Sequence, residues 1–431
     1  MGNSQPKQAE NPENPQAAHL ARLFDTLVGE SEGELTCQQF EAGFSDKMGR
    51  DFSRLLFNYC VRLASAKALL RTQFVDAMTP VSNTLASQSA MEVMQLFHQI
   101  FSNGNDKGLS KEDASLLVST CFRSLENEPD LNVQATLETF VSSLMGGRDF
   151  LTESALVDWL GCNAGGLFLG LQLQLEGILT NKIPEEIHTV PRLKDLSGTV
   201  TLSEGSLDPF TIWLLSCSLP RIFISSARDE GEATDVPCWT LLYKSREQGL
   251  SMNRFQHHAF GYRGPTVAIL RLDEDMTFAV GSDVDWKDCP SAWGGANCVL
   301  LQMKPKWEIL NGGSRMLYFH EKSRIARCGL FIGTDQENPI ISIDEGLSQA
   351  SVKVNRKVPR QFNIDIQSIE VWGCGSSKDA EAQKDMKKWE KQQAEKQRKV
   401  KLSAEQWEDN PDRNLLEFGG ITTRHGERPD V

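Results

Sequence analysis

The chain has 431 residues, 40% of them hydrophobic and 24% charged, with a formal net charge of −13. That is the profile of a soluble globular protein long enough for two or three domains, and its acidic balance argues against wholesale binding to nucleic-acid phosphate, which needs clustered Lys and Arg. Ten cysteines are spread from Cys37 to Cys374 without CxxC spacing, an argument against a zinc or disulfide framework and for reduced cytosolic thiols.

Residues 1–17 are polar and Pro-rich, are expected to be disordered, and lack the apolar core of a signal peptide. Gly2 follows the initiator Met, the first requirement for myristoylation, and is the candidate lipidation site. The pattern asks for Ser or Thr where this chain has Pro6. One myristoyl chain gives only marginal, reversible membrane affinity.

Residues 18–185 repeat one pattern. Leu20, Leu23, Phe24 and Leu27 make one face of a helix, and a turn-rich gap leads to an apolar anchor, Leu35, which opens another helix. The same shape recurs around Leu69, Leu109 and Leu151, so the anchors stand 34, 40 and 42 residues apart. Helix, loop, short strand-like contact and helix resemble the EF-hand. Calcium needs oxygen ligands along the loop and an acidic side chain at its twelfth position. With each anchor at position 8, position 12 is Gln39 in the first loop and Asp113 in the third, and no loop has a full ligand set. A degenerate all-α EF-hand-like domain is expected, with a calcium-responsive sensor as a lesser alternative. The apolar run Trp159–Leu173 is too short for a bilayer span and is expected to be one buried core helix.

Composition changes after about residue 185, and "NKIPEEIHTVPRLKDLSGTV" reads as a linker with two prolines. "LDPFTIWLLSC" reads as a buried helix, capped by Asp208 with Pro209 in its first turn. From there to Cys374 strands dominate. Residues 238–243 are one, 266–272 and 277–282 make a hairpin, and further strands follow at 298–303, 315–320, 329–334, 339–344 and 362–374. In the last, the alternation of Phe362, Ile364 and Ile366 slips to Ile369 and Val371, which predicts a bulge. The expected fold class is α+β and multidomain: the helical domain, then a two-layer β-sandwich with flanking helices, then a charged C-terminal helix.

The stretch "PCWTLLYKSREQGLSMNRFQHH" (237–258) holds Cys, Ser, Arg and a His-His pair, the inventory of a nucleophile-and-base site. Ser251 is placed to cap a helix instead, and adjacent His257 and His258 point about 100° apart on it. No catalytic residues and no metal ligands are assigned, and no cofactor is expected.

Here the chain resembles a known family. "LLYKSREQGLS", "GPTVAIL" and "IEVW" are similar to the TLDc domain, over roughly residues 195–375. Together with Met-Gly-Asn-Ser, the EF-hand-like region and a charged tail at 376–431, the resemblance is closest to the lysosomal, MTOR-associated branch of that family. It implies a non-enzymatic adaptor, cytoplasmic and peripheral on the lysosomal membrane. Its partners would be vacuolar proton-pumping ATPase subunits and MTOR signalling complexes, and its role growth or oxidative-stress response. A thiol-based antioxidant using Cys238, Cys298 or Cys374 is the alternative from another class. In the tail, Lys378–Lys399 is rich in helix formers and poor in apolar residues, and Met386 and Trp389 are the candidate partner-binding anchors.

Overall fold

The computed structural model describes residues 15–29, 33–87, 89–124, 133–181, 190–194, 207–224, 238–273, 275–321, 327–353 and 363–398. Residues up to Asp379 form one compact unit and those from Ala380 another.

The helical part is built from paired units. α1 (Pro15–Val28) and α2 (Cys37–Met48) flank β1 (Glu34–Leu35), and α3 (Arg50–Ala64) and α4 (Arg71–Leu85) flank β2 (Leu69–Leu70). Helix α1 starts at Pro15, with proline in its first turn, so the polar N-terminal segment read as disordered gives way to helix before residue 17. β1 and β2 pair antiparallel, Leu35 opposite Leu69. The second pair comprises α5 (Ala90–Phe101), α6 (Lys111–Arg123), α7 (Val133–Met145) and α8 (Glu153–Asn163). There Leu109 and Leu151 form an antiparallel bridge, exchanging hydrogen bonds of 3.0 and 2.8 Å. All four anchor leucines are 0% exposed. The spacing of the repeat is therefore the spacing of residues that meet across two loop-to-loop contacts.

Position 12 of these loops serves the helices. The backbone N–H of Thr36 donates to Gln39 Oε1 at 2.9 Å, that of Leu70 to Gln73 Oε1 at 3.0 Å, and that of Ser110 to Asp113 Oδ2 at 3.0 Å. These are N-terminal caps, which satisfy free helix donors. Among the described residues no group of three or more His, Cys, Asp or Glu side chains could hold a metal ion.

The apolar run expected as one helix is two. α8 ends at Asn163 and α9 spans Leu169–Thr180. Between them Gly166 donates to the Cys217 carbonyl at 3.0 Å, and a Cβ there would lie 3.2 Å from Cys217 Cα. This close backbone approach needs glycine and breaks the helix.

The strand-rich part begins earlier than expected. β3 (Arg192–Lys194), inside the segment read as linker, pairs parallel with β4 (Cys238–Lys244). α10 (Pro209–Ser218) starts as expected: Asp208 Oδ1 accepts from Thr211 N at 2.9 Å. After β4 come the short helices α11 (Ser245–Gln248) and α12 (Met252–Ala259), then β5 (Thr266–Leu272), β6 (Thr277–Ser282), β7 (Cys289–Trp293), β8 (Val299–Lys304) and β9 (Glu308–Gly312). β10 (Leu317–His320), β11 (Gly329–Ile332), β12 (Ile341–Ile343), β13 (Gln349–Val352) and β14 (Asn363–Gly373) complete the sheet, and α13 (Ser377–Arg398) follows.

The strands run in the order β7-β10-β11-β12-β13-β14-β5-β6-β8-β9, with β4 on the other side of the C-terminal half of β14. β14 is thus shared: its start pairs with β13 and its end lies between β4 and β5. The register shifts between Ile366 and Ser368, the bulge that the broken alternation predicts. Both faces of the central strands are buried. Val267 and Ile269 of β5 join the core of the helical part, while Ala268 and Leu270 are 2% exposed on the opposite face. One hydrophobic cluster runs from Leu20 to Cys374, so the helical and strand-rich parts share a core.

Trp307, between β8 and β9, fastens the two parts. It is 0% exposed, its backbone N–H donates to Ser143 Oγ of α7 at 2.8 Å, and its Nε1–H donates to Ser218 Oγ of α10 at 3.0 Å. Next to it, Ile309 N donates to Asn163 Oδ1 of α8 at 2.9 Å.

Candidate functional site

Residues 238–258 of that stretch fold into β4, α11 and α12, and their polar groups hold that fold. Ser251 Oγ accepts from Arg254 N at 3.3 Å and caps α12. Tyr243 OH donates to the Gly249 carbonyl at 2.8 Å, and the Tyr243 and His258 rings stack at 6.0 Å. Ser245 Oγ accepts from Ile369 N at 2.9 Å. The ring planes of His257 and His258 are nearly perpendicular, 87° apart.

Two of the three thiols read as redox candidates, Cys298 and Cys374, sit in the wrong surroundings for a thiolate. Burial pushes Cys298 up to about 11, and it pushes Cys374 well above the ordinary thiol range. Cys298 Sγ instead donates to Asp283 Oδ1 at 3.1 Å, and Asp283 also accepts from Gly295 N at 2.8 Å and Asn297 N at 2.9 Å. Cys238 is half-buried at the start of β4. A reactive cysteine needs an exposed, cationic setting, and Cys298 and Cys374 have the opposite.

One histidine–carboxylate pair does exist. His320 Nδ1 lies 2.5 Å from Asp288 Oδ1, on β10 and just before β7, and the Asp288 side chain is 39% exposed. Cys289 follows Asp288 in the chain and pairs with Phe319, not with His320. Among the described residues no thiol or hydroxyl hydrogen-bonds His320. The pair ties an edge strand to its neighbour at the surface.

The site with the richest polar chemistry lies at the seam between α7, the start of α10 and the sheet. It is a cavity of about 410 Å³. Part of its lining is a row built by strand register: Arg271 of β5 is opposite Thr277 of β6, and Thr277 is opposite Lys304 of β8. Thr136, Thr139 and Thr211 add hydroxyls from the helices, and Trp307 also lines it. Lys304 Nζ is 3.2 Å from Asp275 Oδ1.

Arg271 also reaches Glu370 of β14, Nη1 to Oε1 3.1 Å, and the Glu370 side chain is 1% exposed. Neither Glu370 oxygen nor Arg271 Nη1 makes a hydrogen bond of good geometry. Ser368 Oγ and Trp372 Nε1, on the same face of β14, are also buried without a partner. Sequence reading missed this site. Arg271 and Glu370 are far apart in the chain, and only strand pairing brings them together.

Gly2 lies outside the described residues. Met386 and Trp389 are on α13, the first half-buried and the second 60% exposed. Among the described residues no helix is long and apolar enough to cross a membrane.

Comparison with known proteins identifies the strand-rich part: residues 211–375 match the family model of the TLDc domain, and the chain carries that domain. Curated fungal relatives are named Restriction of telomere capping protein 5. The relative from Colletotrichum graminicola is 25% identical over 42% of this chain and 39% of its own length. That from Vanderwaltozyma polyspora is 36% identical over 43% of this chain and 44% of its own. The one from Meyerozyma guilliermondii is 27% identical over 80% of this chain and 68% of its own length. With the first of these, the chain matches about two fifths of the relative's length.

These names correct the expectation of a lipidated regulator on the lysosomal membrane, linked to the vacuolar ATPase and MTOR. That expectation rested on Met-Gly-Asn-Ser, the EF-hand-like region and the charged tail taken together with the TLDc motifs. The relatives found are named for telomere capping.

Proposed function

We propose that the chain is a non-catalytic regulatory protein that acts by binding another protein, in the process its relatives are named for, the restriction of telomere capping. The observation that carries this reading is the alignment with the Meyerozyma guilliermondii relative. It covers 80% of this chain, so it reaches beyond the TLDc domain into the helical part. The seating of Ser245, Ser251, Tyr243 and Cys298 in structural hydrogen bonds supports the non-catalytic half of the proposal.

The partner is a protein rather than nucleic acid, given the net charge of −13. The tail helix supplies a docking element, with Trp389 and Met386 as its anchors, since an exposed Trp on a polar helix is a typical interface hot spot. The test is replacement of the relative in Meyerozyma guilliermondii by this chain, with telomere capping scored. Restored restriction is expected. No restoration from a folded, expressed chain refutes the reading.

A further inference from the structure

The cavity at the seam has a charge pattern that selects its occupant. Two cations, Arg271 and Lys304, and two carboxylates, Asp208 and Asp275, line it. A simple anion placed there meets Asp208 and Asp275, and a simple cation meets Arg271 and Lys304. A molecule that carries both charges is complementary to both sets.

The cations lie on the sheet and Asp208 lies on the helical side, while Asp275 pairs with Lys304. Arg271, Thr277 and Lys304 are opposite one another on adjacent strands, so the row spans two inter-strand spacings, about 10 Å. It offers a guanidinium, a hydroxyl and an ammonium in line. Asp208 lines the same cavity from the start of α10, where its carboxylate accepts from Thr211 N at 2.9 Å and Thr211 Oγ1 at 2.6 Å. A carboxylate has about four acceptor positions, so some remain open. Asp275 holds Lys304 by one 3.2 Å contact, with its own side chain 80% exposed. An exposed pair of this kind is weak and exchanges readily for a ligand.

Glu370, which does not line the cavity, acts on it through Arg271. It is 1% exposed, it touches Arg271 at 3.1 Å, and both its oxygens lack a well-formed hydrogen bond, as does Arg271 Nη1. The buried carboxylate also fixes the guanidinium, which leaves the rest of its rigid fork of donors for the cavity. Leu207, Leu272 and Met303 give the wall an apolar part. The volume, about 410 Å³, is in the range of small-ligand sites.

We propose that this cavity binds a small zwitterion, an α-amino acid or a short peptide with free termini, with its carboxylate on the Arg271–Thr277–Lys304 row and its ammonium on Asp208. The ligand would lie against α7, α10 and the sheet at once, and would tighten the seam that Trp307 fastens. This goes beyond the reading of the chain as a partner-binding regulator, and stands or falls apart from it.

The test is calorimetric titration and thermal melting of the full-length chain with two panels, free apolar amino acids and dipeptides, which separate the two sources of the zwitterion. Each is run beside its N-acetyl and its C-terminal amide form. Saturable binding is expected for one panel, with a dissociation constant of about 1 mM or tighter, weakened about tenfold or more when either charge is masked. Thr277→Val and Lys304→Met should weaken it similarly with unchanged ligand-free melting, which keeps the test valid if Arg271→Lys fails to fold. No saturable binding in either panel overturns the proposal, as does binding that is indifferent to masking or to both variants.

Discussion

At the residue scale the buried pair Arg271–Glu370 dominates. A carboxylate that is 1% exposed is tolerable only beside its guanidinium, because an unpaired buried charge is strongly disfavoured. Arg271→Met alone should destabilise the chain by about 3–5 kcal/mol, and Arg271→Met with Glu370→Met should recover most of that loss. Urea melts of the two variants check this; equal losses would mean that the pair is not coupled.

Glu41 poses the opposite case. Arg54 at 2.7 Å and Arg50 at 2.9 Å hold its carboxyl down at about 2. Its unfolded value is about 4.3. The pair therefore stabilises the fold in full above that value, and the contribution fades as pH falls toward about 2. Glu41→Gln should flatten the acid limb of the stability curve between about pH 4 and about pH 2. Melts at neutral and acid pH read the change, and an acid limb of unaltered slope would rule the pair out as its source.

At the element scale, caps and anchors were the legible features. Asp208 before Pro209 announced α10, and the four anchor leucines announced the loop-to-loop bridges, because both rest on local spacing. The bulge of β14 was legible for the same reason: Ile366 to Ile369 breaks the period of two. What was not legible rests on distant partners. β7 begins Cys289-Pro290, and proline in an edge strand gives no strand signal. The half-buried β9 has no alternation to read. The break between α8 and α9 follows from Gly166 meeting Cys217, and the run around it is apolar in both helices. The cap predicts its own test: Asp208→Ala should cost about 1 kcal/mol through the lost N-terminal bond. Calorimetric melting measures it, and a gain in stability would contradict the assigned role.

At the scale of the whole molecule, the helical and TLDc parts share a core and a seam. Trp307 has partners on α7 and α10 and no exposure, so Trp307→Ala should cost about 3–5 kcal/mol and separate one melting transition into two. A single unshifted transition would show that the seam carries no coupling. None of this was visible in the sequence, where Trp307 is one apolar residue in a polar turn. The seam cavity was hidden too, since its row of Arg271, Thr277 and Lys304 exists only once three strands are in register.

The central claim is that the chain works by binding and its nucleophiles and bases hold shape. Among the described residues the nearest approach to a reacting constellation is His320 with Asp288, 2.5 Å apart, beside Cys289. The most direct measurement is telomere capping in Meyerozyma guilliermondii cells whose relative is replaced by this chain, either unaltered or with His320→Gln and Cys289→Ser. Equal restoration of restriction by both forms is the predicted result. Restoration by the unaltered chain alone, with the variant folded and present at the same level, would contradict the account.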